Sequence, residues 1–492
     1  MVALFNSIAT AQQGVNNLWY LGYSNVVGPP NYGGITIDFF TSTPTIFAQQ
    51  RKMDLLHTHS NISDSLGNIL FYTNGTFICD ATDSIMQNGD SISPTNLIPV
   101  YPNALWIPQA CLTIPYPGYA NKYLLFHSTI DKAWTTCLHL YYSEIDMTLN
   151  NGLGAVTTDK NVALINDTLN LGKITACKHG NGRDWWVVCF QGNSDTIYKF
   201  LVTPFGIDGP FKQAIGTKRE VSYGQIKFSS DGNKFAYFFA QGPPNSTNIS
   251  QFEILDFDRC SGIFSNAKNI FIGASYGLGG GVEFSPNSQY VYVSNIDSVY
   301  QYDVTASNID STKIVVAVWD SFYDGGPPFA VLFDPIELAP DGKIYICSGN
   351  GTHYLSVINN PDSQGLACNL TQHSVVLPAY YANTLPNHPN YFLGANGLCN
   401  NLSYESLESW KVKKVTVFNN PTYDKFTLWF PVDKDVGVLE IYDVNGACIR
   451  RERVSQWSQY KTVDISLFAE GVYFCKMKWP SGEGSVKVVR LE

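Results

Sequence analysis

The sequence predicts an all-β protein in which a β-propeller is followed by a small β-sandwich. A hairpin pattern of two alternating strands around a tight turn occurs three times at a spacing of about 55 residues, as FSSDGNKFAYF, FSPNSQYVYVSN and LAPDGKIYICS. Such repetition is typical of architectures in which each unit buries its faces against its neighbours. Aromatic residues make up 14% of the chain and charged residues 15%, with 40 Gly and 25 Pro, which favours strands and tight turns.

Further strand patterns complete the predicted ring. Patterns of period two form six clusters, and short N-terminal strands within residues 19–22 and 35–40 are left over. We therefore expect a seven-bladed β-propeller, and six or eight blades are also compatible with the spacing. The first and last segments would share a blade, because closing the ring removes exposed sheet edges.

Charge divides the chain near residue 410. The formal net charge is −10, yet the part from Lys411 onward carries 13 basic and 10 acidic residues, which leaves 18 basic and 31 acidic residues before it. We expect a propeller over residues 14–400, a linker over 401–414 and a small Ig-like β-sandwich over 415–492. The acidic balance argues against a nucleic-acid partner, because phosphate contacts need clustered Lys and Arg.

The N-terminus predicts a targeting segment. Residues 1–13 combine a short apolar run with a small-residue pattern, as at the end of a signal peptide, although a basic region is missing. A frayed terminus is the alternative. No run of about 20 apolar residues occurs, so the sequence predicts no transmembrane helix.

Eleven cysteines leave at least one thiol without a partner inside the chain. Cys368 and Cys399 flank one irregular segment and are the predicted disulfide. No CxxC pair occurs, which excludes zinc-ribbon and thioredoxin-type sites.

Three patterns have a catalytic or metal-binding interpretation, and each also has a structural one. Gly273 to Gly277 reads GASYG, but a nucleophile elbow needs a following helix and a strand follows instead. His57 and His59 would lie on one face of a strand as half of a zinc site, without a third ligand fixed by spacing. The Asp-Gly pairs of the hairpins are explained by turn geometry. We predict no catalytic or cofactor-binding residue, and calcium or zinc stays open.

Two loops combine aromatic and polar residues and are the predicted binding loops. Propellers bind ligands through loops, and aromatic side chains supply contact area at low entropic cost. A packed closure loop is the alternative for each. The residues concerned are Trp319, Phe322 and Tyr323 in one loop and Tyr380, Tyr381, His388 and Tyr391 in the other.

Several segments before residue 400 resemble one family of bacterial propellers. They include ISDSLGNILFYTNGT, ACKHGNGRDWWVV, FDRCSG and LPNHPNYFLG, and the resemblance covers most of residues 15–400. Members of that family stand at the front of large secreted and surface proteins associated with gliding motility and type IX secretion. The resemblance carries over no catalytic residues.

Residues 415–492 resemble the type A sorting domain of the type IX secretion system. The turn Asn419-Asn420-Pro421-Thr422, the hairpin LEIYDVNGACI and the closing strand from Lys487 stand at the family's positions. A missing first Pro, and Cys448 and Cys475 at commonly bulky apolar positions, depart from its pattern. The resemblance implies export across both membranes, recognition by the type IX secretion machinery and cleavage near the linker.

Two functions follow as hypotheses. The favoured one is a secreted or cell-surface binding and adhesion module that engages a protein or polysaccharide through propeller loops. The alternative is a secreted propeller hydrolase, acting on lactones or glycans, with a metal or acidic site at the central channel.

Overall fold

The computed structural model describes residues 14–25, 31–41, 43–94, 104–131, 136–241, 248–275, 279–396, 399 and 414–491. The expected all-β fold is confirmed, since the helices in these ranges are three short 3-10 turns at Asn150–Gly152, Asp310–Thr312 and Gly365–Cys368. None of the described helices has the length and apolar character needed to cross a membrane. Residues 1–13 and 401–413, which include the predicted signal segment and nearly all of the predicted linker, lie outside the described residues.

Seven antiparallel sheets, called sheets 1 to 7 in chain order, occupy the described part of the chain up to residue 381. Sheets 1 and 2 have three strands, sheet 3 has five and the others have four. Their strands are β1 Leu18–Gly22, β2 Gly34–Asp38 and β3 Thr45–Gln49; β4 Ser60–Ser63, β5 Ile69–Thr73 and β6 Ile78–Asp80; β7 Cys111–Pro115, β8 Lys122–Ser128, β9 Cys137–Asp146, β10 Ala155–Val156 and β11 Val162–Leu169; β12 Thr175–Lys178, β13 Trp185–Phe190, β14 Ser194–Thr203 and β15 Gly206–Arg219; β16 Ile226–Phe228, β17 Lys234–Gln241, β18 Asn248–Asp258 and β19 Ile263–Ser275; β20 Gly281–Phe284, β21 Tyr290–Ser294, β22 Ser298–Asp303 and β23 Ile314–Val318; and β24 Ile336–Leu338, β25 Ile344–Ile346, β26 Thr352–Ile358 and β27 Leu370–Tyr381.

The first strands of neighbouring sheets face one another and form the inner wall of a ring. β1 contacts β4, β4 contacts β7, β12 contacts β16, β16 contacts β20, and β20 contacts β24. Sheets 1 and 7 share a core that includes Trp19, Leu21, Tyr345 and Leu377, which closes the ring. Strand β13 is buried along its whole length, because neighbouring sheets cover both of its faces.

The repeated hairpins appear where the periodicity predicts them, as β16–β17, β20–β21 and β24–β25. Their turns need one residue with positive φ, which is Gly232 (74°) in the first hairpin, Ser288 (61°) in the second and Gly342 (78°) in the third. The carboxylate of Asp231 accepts from the Asn233 amide at 3.0 Å, so its own turn explains this acid without a metal ion.

Residues 382–396, here called the central segment, run through the middle of the ring. The Asn387 side-chain amide donates to the carbonyls of Cys111 at 2.9 Å and Ile174 at 2.8 Å, which joins sheets 3 and 4. Further along, Tyr391 donates to the carbonyl of Thr113 at 2.8 Å. The central segment thus satisfies backbone carbonyls of the inner wall that have no neighbouring strand on that side.

The predicted pairing of Cys368 with Cys399 is wrong. Cys399 forms a disulfide with Cys260, 139 positions earlier in the chain, whereas Cys368 is a buried free thiol. The central segment ends beside the turn between β18 and β19, which holds Cys260, and the Arg259 guanidinium of that turn donates to the carbonyl of Gly394 at 2.7 Å. The fold rather than chain proximity selects the partner.

The C-terminal domain consists of two facing antiparallel sheets. One has the order β28-β29-β32 and the other the order β31-β30-β33-β34. Between them lies a core that includes Phe426, Leu439, Ile441 and Met477. The strands are β28 Thr416–Phe418, β29 Lys425–Trp429, β30 Gly437–Tyr442, β31 Cys448–Val454, β32 Tyr460–Asp464, β33 Gly471–Trp479 and β34 Gly482–Arg490.

This domain packs against sheet 4 of the ring. The rings of Phe211 and Tyr460 lie 4.6 Å apart between centroids, and the hydroxyls of Thr203 and Ser455 are 3.1 Å apart. Asp208 lies on the same strand as Phe211, and burial raises the pKa of its carboxyl to about 6. The contact therefore combines an aromatic pair with buried polar groups.

Candidate functional site

The first predicted binding loop and part of the second lie together beside the outer strands of the ring. We call this region the aromatic surface. Its members are half-buried rings that come from the loop after β23 and from strands β26 and β27: Trp319, Phe322, Tyr323, His353, Tyr354, His373 and Tyr380.

Ring contacts organise the aromatic surface. Phe322 stacks on His373 with centroids 4.1 Å apart and an angle of 19° between planes, and Tyr354 meets Phe322 edge-on at 5.1 Å. Trp319 meets Tyr323 edge-on at 5.4 Å. Edge-to-face and stacked pairs of this kind stabilise one another, so the rings are fixed relative to the strands.

Two carboxylates orient the two histidines. His373 Nε2 donates to Asp320 at 2.8 Å. Asp324 accepts from both the backbone amide of His353 at 2.7 Å and its Nδ1 at 2.8 Å. Each pair joins the loop after β23 to a strand of sheet 7, which brings the predicted loops into one surface.

A second group of rings extends towards sheet 1. The centroid of Tyr380 lies 3.8 Å from that of His353 and 5.7 Å from that of Tyr32, and Tyr32 stacks on Tyr23 at 5.6 Å. Exposed apolar side chains flank the rings, among them Val318 and Phe329. The arrangement offers flat apolar faces with hydrogen-bonding groups between them.

Three of the predicted binding residues are buried instead. Tyr381 and Tyr391 are fully buried and His388 is nearly so, whereas a binding loop needs exposed rings. Tyr381 alternates with Tyr380 on β27 and faces the core, and its hydroxyl donates to the carbonyl of Tyr354 at 2.8 Å. His388 and Tyr391 belong to the central segment. Tyr381 is therefore a core residue of a strand, and His388 and Tyr391 lie in a packed segment.

A second candidate site lies at the centre of the ring, where three charged side chains meet. Lys227 and Glu337 are the middle residues of the inner strands β16 and β24, and Glu283 is the third of the four residues of β20. The Lys227 Nζ lies 2.6 Å from Glu337 and 3.5 Å from Glu283. We call these three residues the central cluster.

Burial determines the protonation of the central cluster. It raises the pKa of Glu337 to about 8, and the nearby Glu283 adds to this effect. It also raises the pKa of Glu283. Burial opposes the charge on Lys227, but the attraction of Glu337 and Glu283 is larger in sum and raises the pKa of the ammonium group. Near neutral pH the cluster therefore combines a charged lysine with a proton on Glu337.

The central cluster faces a cavity of about 830 Å³, here called the channel cavity. Its inner part is lined by the cluster and His388, and its mouth by the exposed side chains of Phe40, Leu66 and Phe392. Clefts of this size and amphipathic lining are typical of small-molecule sites.

His57 and His59 do not lie on a strand as predicted. Both precede β4, and His57 has a φ of 60°, because the chain bends there before it enters the inner wall. Burial lowers the pKa of His57 to about 4 and that of His59 well below its usual range. Among the described residues, no three His, Cys, Asp or Glu side chains are grouped as metal ligands would be.

Sequence reasoning missed the three residues of the central cluster and the two histidines of the aromatic surface. The central cluster leaves a signal in the repeat, because the charged residue is always the middle one of an apolar triplet: Ile-Lys-Phe, Val-Glu-Phe and Ile-Glu-Leu. His353 and His373 have no comparable signal in the sequence, since only the folding of β26 and β27 brings them to the loop after β23.

Residues 416–490 match the family described as "Secretion system C-terminal sorting domain". The protein thus carries a type IX secretion sorting domain and is exported to the cell surface or secreted. No curated protein matches the chain.

Three of the solved structures that are similar to the chain come from bacteria. A putative 6-phosphogluconolactonase from Bacteroides fragilis is 12% identical, with a TM-score of 0.43 over 75% of this chain and 96% of that one. Its counterpart from Bacteroides uniformis is 13% identical, with a TM-score of 0.41 over 73% and 97%. A functionally unknown protein from Desulfotomaculum acetoxidans is 13% identical, with a TM-score of 0.40 over 76% and 99%.

Proposed function

We propose that this exported protein is a binding and adhesion module that attaches to a polysaccharide through the aromatic surface. One observation carries the proposal, namely two groups of half-buried rings, each of which a carboxylate–histidine pair holds in place. Flat ring faces stack on the apolar faces of sugar rings, and polar groups beside them accept from or donate to hydroxyls.

Rigidity of the aromatic surface favours binding. Phe322 and Tyr380 are already held by His373 and His353, so little side-chain entropy is lost when a ligand arrives. Exposed apolar side chains beside polar groups on an exported protein are typical of an interaction surface.

The domain organisation belongs to the same proposal. In it, the seven sheets are the seven blades of a propeller over residues 14–400. The two facing sheets are an Ig-like sandwich within residues 415–492, and the type IX secretion machinery recognises that sandwich. The linker over residues 401–414 is the point at which the sandwich is removed.

Retention of the whole chain on a panel of insoluble polysaccharides tests the binding function. The double variant Trp319→Ala/Phe322→Ala should weaken retention at least tenfold, because each ring supplies a stacking face. Phe271→Ala is the matched control, since Phe271 is an exposed ring on β19 of sheet 5 and outside the aromatic surface. Equal retention of both variants, or capture of the chain by a protein but by no polysaccharide, would overturn the proposal.

The hydrolase alternative has one supporting observation. Glu283 and Glu337 both contact Lys227 beside the channel cavity, and such carboxyl pairs can divide acid and base roles. It predicts turnover of a glycan or lactone that Glu337→Gln abolishes. Binding without turnover supports the binding module instead.

A further inference from the structure

We propose that the channel cavity binds a small ligand that carries a primary ammonium group. This site is separate from the aromatic surface, and the inference does not depend on the proposed polysaccharide binding. It rests on the charges of the central cluster, on the free acceptor of His388 and on the apolar mouth of the cavity.

The central cluster has two acidic groups and only one cation, so its charge can be balanced by a second cation. Glu283 and Glu337 supply two carboxylates, and Lys227 supplies one ammonium group. All three side chains are at least nine-tenths buried and face the cavity. Glu283 already accepts from the backbone amides of Phe284 at 2.9 Å and Leu338 at 3.1 Å, whereas burial disfavours a second anion at Glu337 beside a single ammonium group. A ligand ammonium would provide a second positive charge and release the proton that Glu337 otherwise keeps.

His388 adds a free acceptor to the same wall. Its Nε2 lies 3.0 Å from the carbonyl of Asn61 and must donate to it, so the Nδ1 carries the lone pair. Burial lowers the pKa of His388 to about 3, which keeps the ring neutral. The Nδ1 has no hydrogen-bond partner among the described residues, and the side chain is more than nine-tenths buried. An ammonium group, with three donors and no acceptor, suits a wall of acceptors.

The mouth of the channel cavity fits the body of such a ligand. Phe40 is 68% exposed, Leu66 71% and Phe392 49%, and all three line the cavity. Their faces would cover an apolar chain, an aromatic ring or the apolar face of a sugar ring. Amino sugars and aromatic amines share the ammonium group and differ in the body, so both belong in the test.

Calorimetry with the whole chain distinguishes amino sugars from aromatic amines as ligands. The probes are glucosamine and 2-phenylethylamine, and their neutral counterparts are N-acetylglucosamine and 2-phenylethanol. We expect at least one amine to bind at least tenfold more tightly than its counterpart. Binding by glucosamine alone would identify an amino-sugar site, and binding by 2-phenylethylamine alone an aromatic-amine site. Equal binding of amines and neutral counterparts, or binding of neither amine, would overturn the proposal.

Variants and proton release locate the site. Glu337→Gln should weaken amine binding at least tenfold, and Phe40→Ala several-fold, while Phe271→Ala, at an exposed ring outside both sites, should leave it unchanged. Because Phe40 is exposed, Phe40→Ala tests the site even if Glu337→Gln unfolds.

Glu337 faces Lys227, Glu283, His388 and Tyr391, so amine binding near pH 7 should release close to one proton, measured in buffers of different ionisation enthalpy. Binding without proton release that Phe40→Ala does not weaken would contradict the proposed site.

Discussion

The ammonium nitrogen of Lys227 lies 2.6 Å from the carboxylate of Glu337, although 110 positions separate the two residues in the chain. Lys227 belongs to sheet 5 and Glu337 to sheet 7, so this buried hydrogen bond spans the inner wall past sheet 6. Glu283 of sheet 6 joins it at 3.5 Å. One lysine thus ties three sheets together at the centre of the ring.

Removal of that lysine should destabilise the ring. Lys227→Met leaves two buried carboxyl groups without their cation and should lower the free energy of unfolding by about 3–5 kcal/mol in denaturant titrations. Lys234→Met is the matched control, because Lys234 forms a partly exposed pair with Asp256 and should lose about 0–1 kcal/mol. The double variant Lys227→Met/Glu337→Gln should recover part of the loss. Equal effects of the two single variants would contradict this role.

The pH dependence of stability should report the proton on Glu337. Its pKa is raised from 4.5 to about 8 in the folded chain, so the folded state holds a proton that the unfolded state has lost between these values. This stabilisation is complete below the lower pKa and is lost as the pH rises through the upper one, at a slope of at most about 1.4 kcal/mol per pH unit. Glu337→Gln should flatten the free energy of unfolding over that window. A parent chain without this slope would show that Glu337 is ionised in the fold.

Thiol titration should establish the disulfide between Cys260 and Cys399. The unfolded, unreduced chain should react at 9 thiols and the reduced chain at all 11. Cys399→Ser should lower the free energy of unfolding by about 2–4 kcal/mol, because the bridge closes a long loop in the unfolded chain. Cys448→Ser, at the exposed cysteine, is the neutral control.

Tyr391→Phe should separate packing from ligand binding. The change removes a buried hydrogen bond to the carbonyl of Thr113 and should lower the free energy of unfolding by about 1 kcal/mol. Retention on polysaccharide should stay as in the parent chain. Phe322→Ala should show the opposite pattern, with impaired retention and a smaller effect on unfolding. Loss of retention in Tyr391→Phe would show that Tyr391 contributes to polysaccharide binding.

Local patterns in the sequence predict the strands and the hairpin turns, because side-chain alternation and left-handed turn residues depend on neighbours in the chain. The same alternation separates Tyr380 from Tyr381, so their different exposure is visible in the letters once β27 is assigned. The middle residues Lys227, Glu283 and Glu337 could also be found by aligning the repeats.

Contacts between distant parts of the chain have no local pattern in the sequence that would predict them. Cys399 meets Cys260 because the central segment crosses the ring, and His373 meets Asp320 because two separate elements pack side by side. His388 and Tyr391 read as loop residues for the same reason: they lie in an irregular segment that the seven sheets enclose. Proximity in space between distant parts of the chain therefore had to come from the structure.

The central segment also sets an order of events during folding. Asn387 and Tyr391 donate hydrogen bonds to carbonyls that lie more than 200 positions earlier in the chain. The inner carbonyls of these early sheets therefore gain their partners only after the end of the ring is in place. A chain that is made from its amino end would then finish folding only when almost all of the ring is present. Shortened versions that stop before residue 387 should accordingly remain loose and susceptible to proteases, however well their individual hairpins form.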